Sequence, residues 1–313
     1  MSSKVAAKVI LALAITATFA WLVATAVDTD MLLYTIRSAD VRWIALGTAA
    51  TLATTLLRAI RLSLVLDGRL ASSLIAISVA HNATTALLPM KLGEFMLPLL
   101  LSRARGMDVS SGLGILILLR MLDMLALGLL GAAAALLAFG AIGEASAATI
   151  AAIALAGALT VTLLLFLGWH RLQDLARHDG RHITVPVLSR AAYAMTAVNR
   201  GQLLRSYAYS LAIWIALFTA FYCFSRAIIV EVSSMTTATI GAAASLAFAF
   251  PISGVANVGP FQAAWVWMSL PFGIAPEPAL AASMLSHGMV VLATAALAIA
   301  LLPLLLKAVR ATS

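Results

Sequence analysis

Apolar runs of roughly twenty residues, the length that carries a helix across a bilayer, dominate this chain and are separated by short polar joints. The first runs from Val9 to Val27 and stops at Asp28 and Asp30. After a polar connection over 31–42, a second covers about Trp43 to Leu66, with Arg58 and Arg61 in its last turns. A third takes in about Val109 to Phe139, a fourth Ala147 to Trp169, a fifth Ser206 to Val230 and a sixth Ala279 to Leu306. Such long Leu- and Ala-rich runs do not fit the alternating strands of a membrane barrel. The pattern predicts an all-α polytopic membrane protein.

Two further apolar segments are interrupted. The stretch from Ser78 to Arg105 breaks between Asn82 and Pro89, carries Lys91 and Glu94 around Gly93, resumes apolar and ends on Arg103 and Arg105. Each arm has about ten apolar residues, too few to cross a bilayer twice. Backbone that unwinds at membrane depth must be covered by protein or line a wet cavity. This segment, about 71–102, therefore reads as a re-entrant helical hairpin. The segment from about Met235 to Leu270, with FPISGVANVGPFQ at its centre, reads the same way. The expected architecture is six full spans plus two re-entrant hairpins.

Composition excludes a soluble globular chain: 63% of residues are hydrophobic and 10% charged. One transmembrane domain over 1–313 is expected, with a first half to about 169, an interfacial cytoplasmic segment over 170–205 and a second half over 206–313. The formal charge of +8 does not point to nucleic acid, because the basic residues are not clustered with aromatics in a soluble region. It reads as orientation. With the N-terminus cytoplasmic and both hairpins returning to the side they left, fifteen of the twenty Lys and Arg residues are cytoplasmic. Arg37, Arg42 and Arg226 fall outside, and Lys91 and Arg120 lie within the membrane. A straight span in place of either hairpin would spoil that ratio. The first apolar run is longer than a signal-peptide core and more spans follow, so an uncleaved first helix is expected.

The same threading gives the halves opposite topology, each with an interrupted segment, as in many transporters. Gly93 to Arg120 is 27 positions (120 − 93) and Gly259 to His287 is 28 (287 − 259). A pseudo-inverted repeat is expected.

Chemistry is sparse. The lone Cys223 excludes an internal disulfide. His170, His178 and His182 fit an ordinary interfacial surface better than a zinc site, and no catalytic constellation, metal cluster or cofactor motif is visible. Lys91 and Glu94 either contact a lipid head group or neutralise each other across the turn, and Gly93 lets another backbone approach closely. Arg120 and Asp123 share one face of the third span. Arg120 would meet a phosphate, pair with Asp123, or do both. Arg58 and Arg61 orient the second span or capture an anionic head group first. Asn82 breaks the helix and satisfies freed backbone groups, or it binds substrate. Asn257 and Gln262 mark the uncharged second hairpin, expected to be a structural counterpart. His287 is a proton relay or a packing histidine bonded to a neighbouring helix.

The run Asn82-x6-Pro89-x3-Gly93-Glu94, then Arg103, then Arg120-x2-Asp123, resembles the flippase-like transmembrane family of lysylphosphatidylglycerol synthases, in a stand-alone form of the kind encoded beside hopanoid biosynthesis. The segment with Pro251, Gly254 and Gly259 resembles that family's second re-entrant element. The resemblance spans about residues 40–305. It implies a lipid translocase fold with Asn82, Glu94, Arg120 and Asp123 near a lipid cavity. Where the family commonly has an acid after the second element's glycines, this chain reads Gly259-Pro260-Phe261-Gln262. The synthases' cytosolic aminoacyl-transferase domain is not seen in this sequence, so lysyl transfer is not assigned from the resemblance.

The expected function is movement of an anionic or polyprenyl-linked lipid between the leaflets of a bacterial inner membrane. Arg120, helped by Lys91, would hold a phosphate in a polar mid-membrane cavity, and no enzyme activity or cofactor is expected. The alternative is a non-transporting protein that presents lipid to a glycosyltransferase or another lipid-modifying enzyme.

Overall fold

The computed structural model describes residues 13–18, 37–66, 69–178, 186–229, 231–249 and 254–310, together with Trp21, Thr25, Asp30 and Tyr34. The expected first span lies largely outside the described residues, as do Lys4, Lys8, Asp28, Arg181, His182 and Pro251; residues 13–18 are helical. No strand occurs among the described residues. The helices are α1 (Val41–Leu66), α2 (Ser72–Leu87), α3 (Met96–Arg105), α4 (Val109–Ala141), α5 (Ala145–His178), α6 (Pro186–Thr196), α7 (Arg200–Arg226), α8 (Ser234–Ala249), α9 (Pro260–Ser269), α10 (Pro276–Ala300) and α11 (Leu302–Arg310). Of these, α1, α4, α5, α7 and α10 are long and apolar enough to cross a membrane. The protein is an all-α multi-pass membrane protein.

Local chemistry sets the boundaries. In α1, Thr48 and Thr51 donate their hydroxyls back to the carbonyls of Ile44 and Gly47 at 2.8 and 2.9 Å. These polar groups therefore ask nothing of the lipid. Helix α3 ends at Gly106, whose φ of 65° is open to glycine and whose N–H caps the Ser102 carbonyl at 3.0 Å. The chain can then reverse at once into α4. Helix α7 starts at Arg200 rather than the expected Ser206, because Asn199 and Gln202 cap it reciprocally (2.9 and 3.0 Å).

Two expectations need correction. The sixth span does not run to Leu306: α10 stops at Ala300 and α11 follows as a separate helix. Pro303 has no N–H for the Ile299 carbonyl and its ring crowds that position, so the helix must break there. Asn82 does not interrupt the first hairpin either. Helix α2 continues through it to Leu87, and the unwinding falls on Leu88 and the 3-10 turn Pro89–Phe95. Asn82 is tolerated inside the helix because its side chain faces a partner on α1.

The interrupted segments fold as helical hairpins: α2 packs on α3 and α8 packs on α9. Helix α4 shows how they lie. The first hairpin abuts its start, where a side chain at Gly112 would meet Pro98 of α3. The second abuts its far end, where Gly131 faces Ala242 of α8 and Phe139 stacks on Phe272 with ring centroids 5.0 Å apart. The hairpins thus enter the bundle from opposite ends and meet at their tips. Helices α1 and α7 form the backing pair, with Gly47 directly under the Phe224 ring.

Candidate functional site

Between the two hairpins lies a cavity of about 680 Å³. Helices α1 and α7 form its floor, α2 and α10 one wall, and α4 and α8 the other. Polar groups crowd the part bounded by α1, α2 and the first hairpin's turn: Arg58, Asn82, Thr85, Lys91, Glu94, Arg120 and Asp123. The remainder is mostly apolar, lined by Leu113, Ile117, Met121, Met124, Val290 and Val291 with the aromatic rings of Trp214, Phe221, Phe248 and Phe261, and with Ser245, His287 and Thr294 as its few polar side chains. One compartment can therefore take both a charged head and a greasy body.

The charged pairs are not those the spacing suggested. Lys91 and Glu94 do not pair. Lys91 adopts φ 60° and holds its Nζ over the Phe248 ring of α8, 3.8 Å from the centroid, a cation–π contact. Glu94 reaches α4 instead, where Arg120 Nε and Nη2 donate to its Oε2 at 2.8 and 2.7 Å. Asp123 does not serve Arg120 first either; their closest approach is 3.8 Å. Its main partner is Arg61, which forks onto both carboxylate oxygens (Nη2 to Oδ2, 3.1 Å) and donates to Ser210 of α7 at 2.5 Å. Arg61 is 4% exposed, so it neither reaches for an interface nor offers itself to a head group. It sits more than a turn inside the end of α1, facing α4 and α7, where a buried guanidinium must find a carboxylate.

Subtraction leaves two cations. Arg58 has Asn82 Oδ1 at 3.4 Å as its acceptor, and Lys91 has only a ring; neither is within 4.0 Å of a carboxylate among the described residues. Three buried side chains of the wall carry a polar atom without a hydrogen-bond partner there: Asn82 Nδ2, Thr85 Oγ1 and Trp214 Nε1. Buried polar groups are ordinarily satisfied, so such a wall is suited to an oxygen-rich occupant. Ser210, Thr85, Trp214 and Phe248 were missed by the sequence reading. Single hydroxyls and aromatics inside apolar runs carry no local mark of what they face.

The second hairpin's polar residues belong to the scaffold. Asn257 and Gln262 do not line the cavity. Asn257, at φ 59°, donates its Nδ2 to the carbonyls of Thr85, Ala86 and Leu88 at 2.9, 3.0 and 3.3 Å. The cause is covalent: a continuing helix would bond the Thr85 carbonyl to the N–H of residue 89, which is proline. Asn257 supplies the missing donor and ties the two tips together. Asn257→Gly, which keeps the backbone freedom but deletes the donors, is expected to lower unfolding stability in detergent by about 1–3 kcal/mol. Wild-type melting of that variant would show the tie to be idle. Gln262 bonds His287, as expected for a histidine held by a neighbouring helix, through Nδ1 at 2.9 Å. Gly93 behaves as its sequence context implied: a side chain there would run into the backbone of Thr84 and Thr85.

The family described as Lysylphosphatidylglycerol synthase TM region matches residues 9–298. No curated protein and no solved structure matches the chain.

Proposed function

The chain belongs to the family of the lysylphosphatidylglycerol synthase TM region, and from that premise we propose that it translocates an anionic phospholipid or polyprenyl-linked lipid between leaflets. The observation that carries this reading is the two-faced cavity. Its polar part holds the phosphate, with Arg58 and Lys91 as the cations that no carboxylate neutralises, while the tails lie along the apolar α4 and α10 faces. Glu94 and Asp123 hold Arg120 and Arg61 in place and cancel their charge, so the chamber attracts one anion rather than a crowd of them.

Two observations support a depth near mid-membrane. Arg120 lies 11 residues into α4 (120 − 109), about 16 Å at 1.5 Å per residue, roughly half the hydrocarbon thickness. Thr16, near the middle of the first apolar run, accepts the Val255 N–H at the second hairpin's tip at 2.7 Å. Opposed hairpins that meet at this depth suit a pseudo-inverted repeat, in which rocking of one half against the other opens the chamber to alternate sides. Arg103 and Arg105 end α3, and Lys307 and Arg310 lie on α11, which packs on α2 and α3. Taking this basic end as the cytoplasmic one under the positive-inside rule supports the reading of an inner-membrane protein with both termini inside. Lipid is bound and released chemically unchanged.

The test is reconstitution of the purified chain in liposomes with acyl-labelled phosphatidylglycerol, scored by dithionite bleaching of the outer leaflet. Arg58→Gln and Lys91→Met are each expected to slow movement about tenfold or more, the scale of one lost charge-assisted hydrogen bond. Unchanged rates in both variants would reject the site. A pure chain that binds lipid but moves none would favour presentation to a lipid-modifying enzyme instead.

A further inference from the structure

We propose that Arg120 joins Arg58 and Lys91 as an exchangeable phosphate ligand, and that Glu94 is its built-in competitor, displaced by the phosphate group of the lipid; the inference rests on the translocase reading above. The chamber holds two ion pairs of different build. Arg61 and Asp123 are 4% and 6% exposed and meet through both carboxylate oxygens. Such a bridge cannot open without stranding a buried charge. Arg120 and Glu94 are 37% and 18% exposed, and both line the cavity. Nε and Nη2 of Arg120 converge on a single oxygen of Glu94, Oε2, at 2.8 and 2.7 Å. An ion pair that solvent or ligand can reach is weakly held. A phosphate offers the same guanidinium fork two oxygens side by side. One pair is therefore fixed and the other replaceable.

The exchange also unties part of the fold. Glu94 belongs to the 3-10 turn Pro89–Phe95 of the first hairpin, whereas Arg120 stands on α4, so their pair fastens the turn to α4. Lys91, in the same turn, fastens it to α8 through the Phe248 ring. A phosphate that engages both Arg120 and Lys91 takes one partner from each tie and frees the turn on two sides. Head-group binding then favours an arrangement different from the empty one, as a ligand must in order to shift a conformational equilibrium. Release uses the same contact in reverse. Glu94 is tethered beside Arg120 at a high effective concentration, so it retakes the guanidinium when the phosphate lets go. Asp123 lies 3.8 Å from Arg120 Nη1 but is held by Arg61, and it takes no part in the exchange.

The experiment pairs equilibrium binding of phosphatidylglycerol, read by native mass spectrometry in detergent, with its movement in liposomes. Glu94→Gln removes the competing charge and keeps the size. It should bind the lipid about tenfold more tightly, a difference of about 1.4 kcal/mol, and yet move it about tenfold more slowly. Glu94→Asp, which keeps the charge, should return both values towards wild type. Arg120→Gln should weaken binding, and adding Glu94→Gln to it should bring no gain, because the two residues act on one contact. A merely structural Glu94 would lower binding and movement together, and that result would overturn the inference. So would a gain from Glu94→Gln that persists without Arg120. Wild-type affinity in Arg120→Gln would overturn it as well, and decides the matter should Glu94→Gln fail to fold. Inorganic phosphate that displaces the lipid at equal concentration would assign the exchange to a soluble anion and reject the lipid as its ligand. A wild type that binds lipid but moves none would overturn the translocase reading, whereas tighter binding by Glu94→Gln would still establish the exchange.

Discussion

Asp123→Ala should destabilise the protein by about 3–5 kcal/mol, because it strands a buried arginine. Arg61 and Asp123 have side chains 4% and 6% exposed, and their fork, with Ser210, joins α1, α4 and α7 beneath the cavity. Without the carboxylate, the guanidinium keeps one hydroxyl acceptor and is otherwise stranded in apolar surroundings. Arg61 faces α4 and α7 and α1 continues past it to Leu66, so the side chain cannot snorkel to the interface. The measurement is equilibrium unfolding in mixed detergent micelles. The pair can be separated from its surroundings by a double-mutant cycle with Arg61→Met and Asp123→Leu. Each single change should be costly, and the double change should recover most of the loss, because an apolar pair needs no compensation. Additive losses would mean that the two side chains are not coupled. Near-wild-type stability of Asp123→Ala would mean that Arg61 has another partner.

That pair also marks where sequence reasoning stops. Arg120 and Asp123 are three apart, and helical geometry correctly puts them on one side of α4. Which helix lies opposite is not a local property. The neighbour turned out to be α1 through Arg61, while Arg120 found Glu94 across the first hairpin. Lys91 and Glu94 failed as a pair for a similar reason: their spacing assumes a regular helix, but the turn runs through a left-handed Lys91. The interruptions themselves were legible, since Pro89, Gly93, Gly259 and Pro260 break apolar runs in ways a spanning helix does not allow. Asn82 misled because a polar side chain in an apolar run can signal either a break or a buried partner, and only packing decides. The stop at Ala300 needed more weight on Pro303 than the continuing apolar run suggested.

Gly93→Ala is the other change expected to be severe, by a steric route. The added methyl would overlap the carbonyl of Thr84 and the amide nitrogen of Thr85. These are backbone atoms of α2, fixed by the helix, so no side chain can swing aside to relieve the contact. The 3-10 turn would have to lift away from α2, and with it Glu94, the partner of Arg120, and Lys91, the partner of Phe248. Overpacking of this kind costs about 1–3 kcal/mol, but the functional loss should exceed what that figure suggests. A shift of about 1 Å at the tip misplaces both the free cation and the pair beside it, so lipid movement should fall by well over tenfold even in the fraction that stays folded. Gly140→Ala is the matched control. It lies in α4 with nothing within 4 Å of the added methyl, and removing a helix glycine should leave stability unchanged or raise it by up to about 1 kcal/mol. If the two variants melt and move lipid alike, the close approach of the turn to α2 does not exist in the working protein.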